Sequence, residues 1–152
     1  MAVLEKVSTL DDMKALMSEL HRVKIKLLYD FYAALQDFSS KKLLPQWLQK
    51  KSVNEVIVKD SGNEILAKII VSKRNSIVVY DLETPDLNGL QFLANLEKKP
   101  EVKEKCKVIL ATPRLPMDAQ DKLLHLGVKA LISKPLVESE LKVAFGKVGL
   151  DY

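Results

Sequence analysis

The stretch IVVYDLETPDLNG, Ile77 to Gly89, decides how the chain is read. Four apolar residues run straight into one carboxylate, Asp81, and Thr84-Pro85 and Asn88-Gly89 follow within eight positions. An apolar run closed by turn residues reads as a strand buried on both faces, which is the habit of parallel sheets. In an open parallel sheet the loops converge at the carboxyl ends of the strands, where helix N-termini present free backbone N–H groups. An acid in that place sits where ligands gather.

Working outward, strand and helix alternate. Upstream, VNEVIVK reads as a strand and DSGNEILAKII as a turn and helix. Downstream, LNGLQFLANLEKK is helical, KCKVILAT a strand, MDAQDKLLHLG a helix closed by Gly127, VKALISK a strand and SELKVAFGKV a last helix. Before all of these, Ser39 or Ser40 opens a helix through Trp47 to Lys51, in which Pro45 is expected to cause a bend. The first strand has two candidates: VKIKLLY, followed by Asp30, or the FYAAL run, followed by Asp37. The alternation predicts an α/β fold, a doubly wound five-stranded parallel sheet with helices on both faces and an extra N-terminal helix. Residues 1–30 are expected to form the helical extension and 31–152 the domain.

Composition allows this and excludes much else. A chain of 152 residues that is 47% hydrophobic can close one core. Its 24 basic and 20 acidic residues leave +4, with lysines scattered among glutamates, so no nucleic-acid tail is expected. The lone Cys106 has no disulfide partner, which suggests a reducing, cytoplasmic setting. No secretory-signal pattern opens the chain, and no apolar run approaches the about 20 residues of a membrane span.

The residues that finish the strands are Asp37, Asp81, Thr112 and Lys134. Paired carboxylates repel unless a cation lies between them, and a hard oxygen site with open water positions suits Mg²⁺. Asp81 would be a nucleophile able to take a phosphoryl group, Lys134 would neutralise phosphate oxygens, and Thr112 would donate a hydrogen bond to one of them.

These segments resemble the receiver domain of two-component response regulators, the CheY-like group with a flavodoxin-like fold, over about residues 31–149. VVYDLETPDLNG is similar to the phosphoacceptor segment, with Pro85 four and Gly89 eight positions after Asp81. VILATP resembles the switch-threonine strand end, LGVKALISKP the Gly-then-Lys-Pro segment, and DSGNEIL the turn into the second helix. The 44-residue step from Asp37 to Asp81 and the 22-residue step from Thr112 to Lys134 are also the family's spacings. The resemblance implies phosphorylation of Asp81 by a histidine kinase or phosphotransfer protein. It implies Mg²⁺ held by Asp37, Asp81 and the Glu83 backbone carbonyl, phosphate contacts from Thr112 and Lys134, a cis peptide before Pro135, and a downstream protein target. No output domain is expected in the chain.

Departures from the pattern are specific. Gln36 stands where an acid is usual, Leu131 where an aromatic is usual, and Pro113 and Pro116 stiffen the loop after Thr112. They leave open a receiver-shaped module that binds a partner without phosphate. IVVYDLETP also resembles the first motif of aspartate-nucleophile phosphohydrolases of the haloacid dehalogenase type, with Glu83 in place of that family's second acid. His21 and His125 are the only histidines, each on a predicted helix, and read more readily as surface or packing residues than as phosphate carriers. In the first helix, capped by Ser8 or Thr9, Leu10, Met13, Met17, Leu20 and Leu27 recur at three- and four-residue steps; an exposed stripe there would favour a homodimer.

Overall fold

A computed structural model describes residues 9–51, 53 and 55–149; for residues 21–28 it describes the backbone alone, so the His21 and Leu27 side chains and the Ser8 cap lie outside the described residues. The elements run α1 Leu10–Leu28, β1 Tyr29–Ala34, α2 Phe38–Lys50, β2 Ile57–Lys59, α3 Gly62–Ser72 and β3 Asn75–Asp81. They continue α4 Gly89–Glu97, α5 Pro100–Lys103, β4 Cys106–Thr112, α6 Met117–His125, β5 Ala130–Ser133 and α7 Glu138–Lys147. The five strands pair in parallel in the order β2-β1-β3-β4-β5. This is the doubly wound sheet expected from the alternation, and the strand order reverses between β1 and β3.

Period-two alternation divides the core. Ile77 and Val79 of β3 face one side with Phe31, Ile109 and Ile132, beneath α2 and α7. Val78 and Tyr80 face the other with Ile65, Leu93 and Leu110, beneath α3, α4 and α6. Trp47 meets Phe145 on the first side at 5.3 Å between ring centroids, and Tyr80 stacks on Phe92 on the second at 4.2 Å.

The two candidates for the first strand are resolved by α1 continuing to Leu28, so that β1 takes up the FYAA residues. Asp30 then falls near the amino end of β1, where its carboxylate accepts from Arg74 Nε at 3.0 Å and Ser72 Oγ at 2.8 Å. Asp37 falls at the carboxyl end. It also takes the capping role expected of Ser39 or Ser40, because Phe38 already begins the helix. The helix passes through Pro45. Ladder pairing of β2 is limited to Ile57–Lys59, shorter than its apolar pattern suggested, and the single turn α5 carries too few residues for a periodic signal. Gly127 closes α6 with φ 94°, as expected of a glycine after a helix end. Among the described residues no helix is long and apolar enough to cross a membrane.

Candidate functional site

Asp81 is the last residue of β3 and is fully buried. Backbone bonds shape the turn around it. The Glu83 N–H donates to Asp81 Oδ1 at 2.8 Å, while the Asp81 carbonyl accepts from the Thr84 N–H at 3.1 Å and the Thr84 hydroxyl at 2.7 Å. Burying a carboxylate without compensation is strongly unfavourable, and the compensation comes from the residue that follows β5. Lys134 Nζ donates to Asp81 Oδ1 and Oδ2 at 3.0 and 3.2 Å and to Glu83 Oε1 at 2.7 Å. Partial burial works against the ammonium, but the bonds from Glu83 and Asp81 outweigh it and raise the Lys134 pKa.

Lys134 is set by its strand and by the loop behind it. Its N–H donates to the Thr112 carbonyl at 3.0 Å, the Lys134–Pro135 peptide is cis as the motif implied, and the Leu136 N–H donates to the buried Ser40 hydroxyl at 3.0 Å. Ser40 belongs to the first turn of α2, so one serine couples the lysine loop to the helix that Asp37 caps.

Asp37 Oδ2 accepts from the Ser40 N–H and the Ser39 hydroxyl, both at 3.0 Å. Burial alone would raise its pKa; the bonds from Ser40 and Ser39 outweigh that and lower it. Its Oδ1 is buried and has no hydrogen-bond partner. Asp37, Asp81 and Lys134 line one open cavity of about 510 Å³ with Gln36, Ser39 and Pro135. An orphaned carboxylate oxygen in a cavity shared with a second carboxylate fits a hard cation. Among the described residues no cluster of three or more acid, histidine or cysteine side chains gathers for a metal. The two carboxylates that line the cavity are those of Asp37 and Asp81. Gln36 is a neutral amide and brings no charge there; its Nε2 donates to the Asp60 carbonyl at 2.8 Å.

Thr112 ends β4 at the same rim, but its hydroxyl donates to the Pro113 carbonyl at 2.6 Å. It lines a neighbouring cavity of about 390 Å³ with Arg114, Leu131, Ser133 and Glu140, so three of the four strand-end residues share a cavity and the fourth borders the next. Leu131, in the place where the motif led one to expect an aromatic, pairs in register with Leu110 and lines the same cavity as Thr112.

Two roles were missed in the sequence. The Glu83 side chain is an ion-pair partner of Lys134, which a reading confined to its backbone carbonyl overlooks. Asp86 accepts from the Ser61 hydroxyl at 2.6 Å and the Gly62 and Asn63 N–H groups at 2.9 and 3.1 Å, tying the loop after β3 to the start of α3. The Asp-Ser-Gly-Asn run, Asp60–Asn63, was the available signal for a helix start but named no distant partner.

A family model described as the response regulator receiver domain matches residues 36–145. Protein-glutamate methylesterase/protein-glutamine glutaminase 2 of Koribacter versatilis (strain Ellin345) is 29% identical over 103 residues, 66% of this chain and 27% of that protein. The chain thus spans about a quarter of the length of the curated relative it matches. Chemotaxis response regulator CheY4 of Vibrio cholerae superposes with a TM-score of 0.68 at 18% identity, over 80% of this chain and 98% of that one. A response regulator receiver domain from Rhodospirillum rubrum superposes with a TM-score of 0.64 at 22% identity, over 80% and 91%. These two likenesses bear on the fold alone.

Proposed function

The chain belongs to the response regulator receiver family, a family of signalling modules, and on that premise we propose that it is switched by phosphorylation of Asp81. Family membership leaves no place for the phosphohydrolase alternative. The observation that carries the proposal is the shared cavity: a buried carboxylate held by an ammonium, beside a second carboxylate with one oxygen unsatisfied.

The reading assigns the following chemistry. A carboxylate oxygen of Asp81 attacks the phosphorus of a phosphohistidine on a histidine kinase or phosphotransfer protein. The new O–P bond forms as the P–N bond breaks, and the imidazole leaves and takes up a proton. Lys134, already 3.0 Å from Asp81, follows the charge onto the phosphate oxygens. Asp37, Asp81 and the Glu83 carbonyl would hold Mg²⁺, which neutralises charge developing on the transferred group. Thr112 turns its hydroxyl from the Pro113 carbonyl toward the phosphate, and the cavity it lines carries the change to a protein target along β4 and β5. A cytoplasmic setting suits both the donor and the free Cys106.

The test is incubation of the chain with a small phosphodonor and Mg²⁺, followed by intact-mass measurement of the parent and Asp81→Asn. One added phosphoryl group in the parent and none in Asp81→Asn is the expected result. A gain that survives the substitution removes Asp81 from the role. A parent that never gains mass, with donor or with phosphotransfer protein, points to a module that binds its partner without phosphate, the reading that Gln36 and Leu131 favour.

A further inference from the structure

We propose that α1 is a self-association element, through which two copies of this chain pair antiparallel. One apolar stripe lies bare: Leu10, Met13, Met17 and Leu20 are 69, 46, 63 and 60% exposed, while Leu16 on another face is half-buried. None of them joins either core, and α1 leads directly into the amino end of β1. Residues at steps of three, four and three lie along one face of a helix. A lone helix of this length is marginal in water, and its stability comes from an apolar face that is covered.

The charges select the occupant and its direction. With Asp11 and Asp12 against Lys14, residues 10–18 carry net negative charge, whereas Arg22, Lys24 and Lys26 outnumber Glu19 and make residues 19–28 basic. A parallel pair would set acids beside acids and bases beside bases. An antiparallel pair sets each acidic half along the partner's basic half. The spacing agrees with this order. About a midpoint between 18 and 19, position 17 falls opposite 20 and 10 opposite 27, so four of the five stripe positions meet one another across a two-fold axis, while 13 falls opposite the lysine at 24. In that register position 24 comes within one turn of the partner's Asp11 and Asp12. A 19-residue helix is about 28 Å long, enough to hold the two domains at opposite ends of the pair. The rim that carries Asp81 lies at the other end of the sheet from α1, so pairing leaves it open to a phosphodonor.

The mass of the full chain should rise to that of a dimer in sedimentation runs over a micromolar-to-millimolar concentration series. The double variant Met17→Lys/Leu20→Lys should stay monomeric throughout, with the thermal unfolding midpoint of the parent at concentrations where the parent is itself a monomer, because neither residue belongs to a core. Direction is read by oxidative cross-linking in a Cys106→Ala background. Leu10→Cys mixed with Leu27→Cys should form a disulfide-linked pair, and Leu10→Cys alone should not. A parent monomeric across the series, a double variant that still dimerises, or Leu10→Cys linking to itself would overturn the proposal. Because no arm uses phosphate, failure here and failure of the Asp81 assignment are distinguishable.

Discussion

The Glu83 carboxylate sits 2.7 Å from the Lys134 ammonium, closer than either oxygen of the buried Asp81. Lys134 is 19% exposed and Glu83 61%, so the lysine is shared between a dry partner and a wet one. An exposed partner is weakly held, worth up to about 1 kcal/mol. A phosphoryl group arriving on Asp81 brings negative charge beside Glu83 and competes with it for the same ammonium. Glu83→Gln should therefore speed phosphorylation of Asp81 by a small donor about fivefold, the rate equivalent of ~1 kcal/mol. Time courses of intact mass measure this, and a slower variant would show that Glu83 positions Lys134 rather than restraining it.

Asp37 caps α2, and the proposed reading gives it Mg²⁺ as well; substitution separates the two. Asparagine caps a helix about as well as aspartate, so Asp37→Asn should hold stability within about 0.5 kcal/mol, while Asp37→Ala should lose about 1 kcal/mol. Both remove the charge behind the orphaned Oδ1, and both should weaken Mg²⁺ binding at least about tenfold. Urea unfolding and calorimetric titration with MgCl₂ provide the two readouts. Equal Mg²⁺ affinity in the parent and Asp37→Asn would exclude Asp37 as a ligand.

Gly62 is required by its surroundings. A Cβ there would run into the Tyr80 hydroxyl and come within 2.9 Å of the Leu87 carbonyl, the group to which that hydroxyl donates. Burial raises the Tyr80 pKa further, so the ring stays a neutral donor. Gly62→Ala should destabilise the fold by about 1–3 kcal/mol, as overpacking does. Tyr80→Phe should cost about 1 kcal/mol for the lost bond. The pair should cost less than the sum, since phenylalanine removes the clashing oxygen. Additive losses in chemical denaturation would place the strain elsewhere.

Asp86 should leave a mark on acid stability. The Ser61 hydroxyl, with the N–H groups of Gly62 and Asn63, holds its pKa down to about 2 against desolvation. Below the ordinary carboxylate range the unfolded chain binds the proton more readily than the folded one, so stability rises with pH through this window. The contribution is complete above about pH 4 and is lost as pH falls toward 2. Because Asp86 is exposed, about 0.5–1 kcal/mol is expected rather than the full value of the shift. Asp86→Asn should flatten the difference in stability between pH 5 and pH 2 by that amount in thermal or urea unfolding. An unchanged acid limb would mean that the contacts to Ser61, Gly62 and Asn63 do not hold the carboxylate in solution.

The order of elements was legible because its causes are local. An apolar run such as Ile77–Tyr80 closed by Asp81 and a Pro-containing turn can be read within one window, and so can Gly127 after a helix. Asp81, Thr112 and Lys134 were found by asking which residues end strands, and Asp81 and Thr112 are the terminal residues of β3 and β4. The first strand was ambiguous because VKIKLLY alternates like a strand while continuing a helical stripe; pairing of Tyr29–Ala34 with Asn75–Tyr80 resolved it.

What the chain determines by itself is the succession of strands and helices and the kinds of side chain at their ends, since backbone preference and apolar period act over a few neighbouring residues. Only the tertiary structure decided what those side chains meet. The partners of Lys134 lie 53 and 51 residues away in Asp81 and Glu83, the Ser40 hydroxyl that ties the lysine loop to α2 lies 96 away from Leu136, and the Thr112 hydroxyl faces its own loop. The bare face of α1 belongs to the same class. Period shows that a helix has an apolar side, but whether that side is covered depends on how the rest of the chain closes around it.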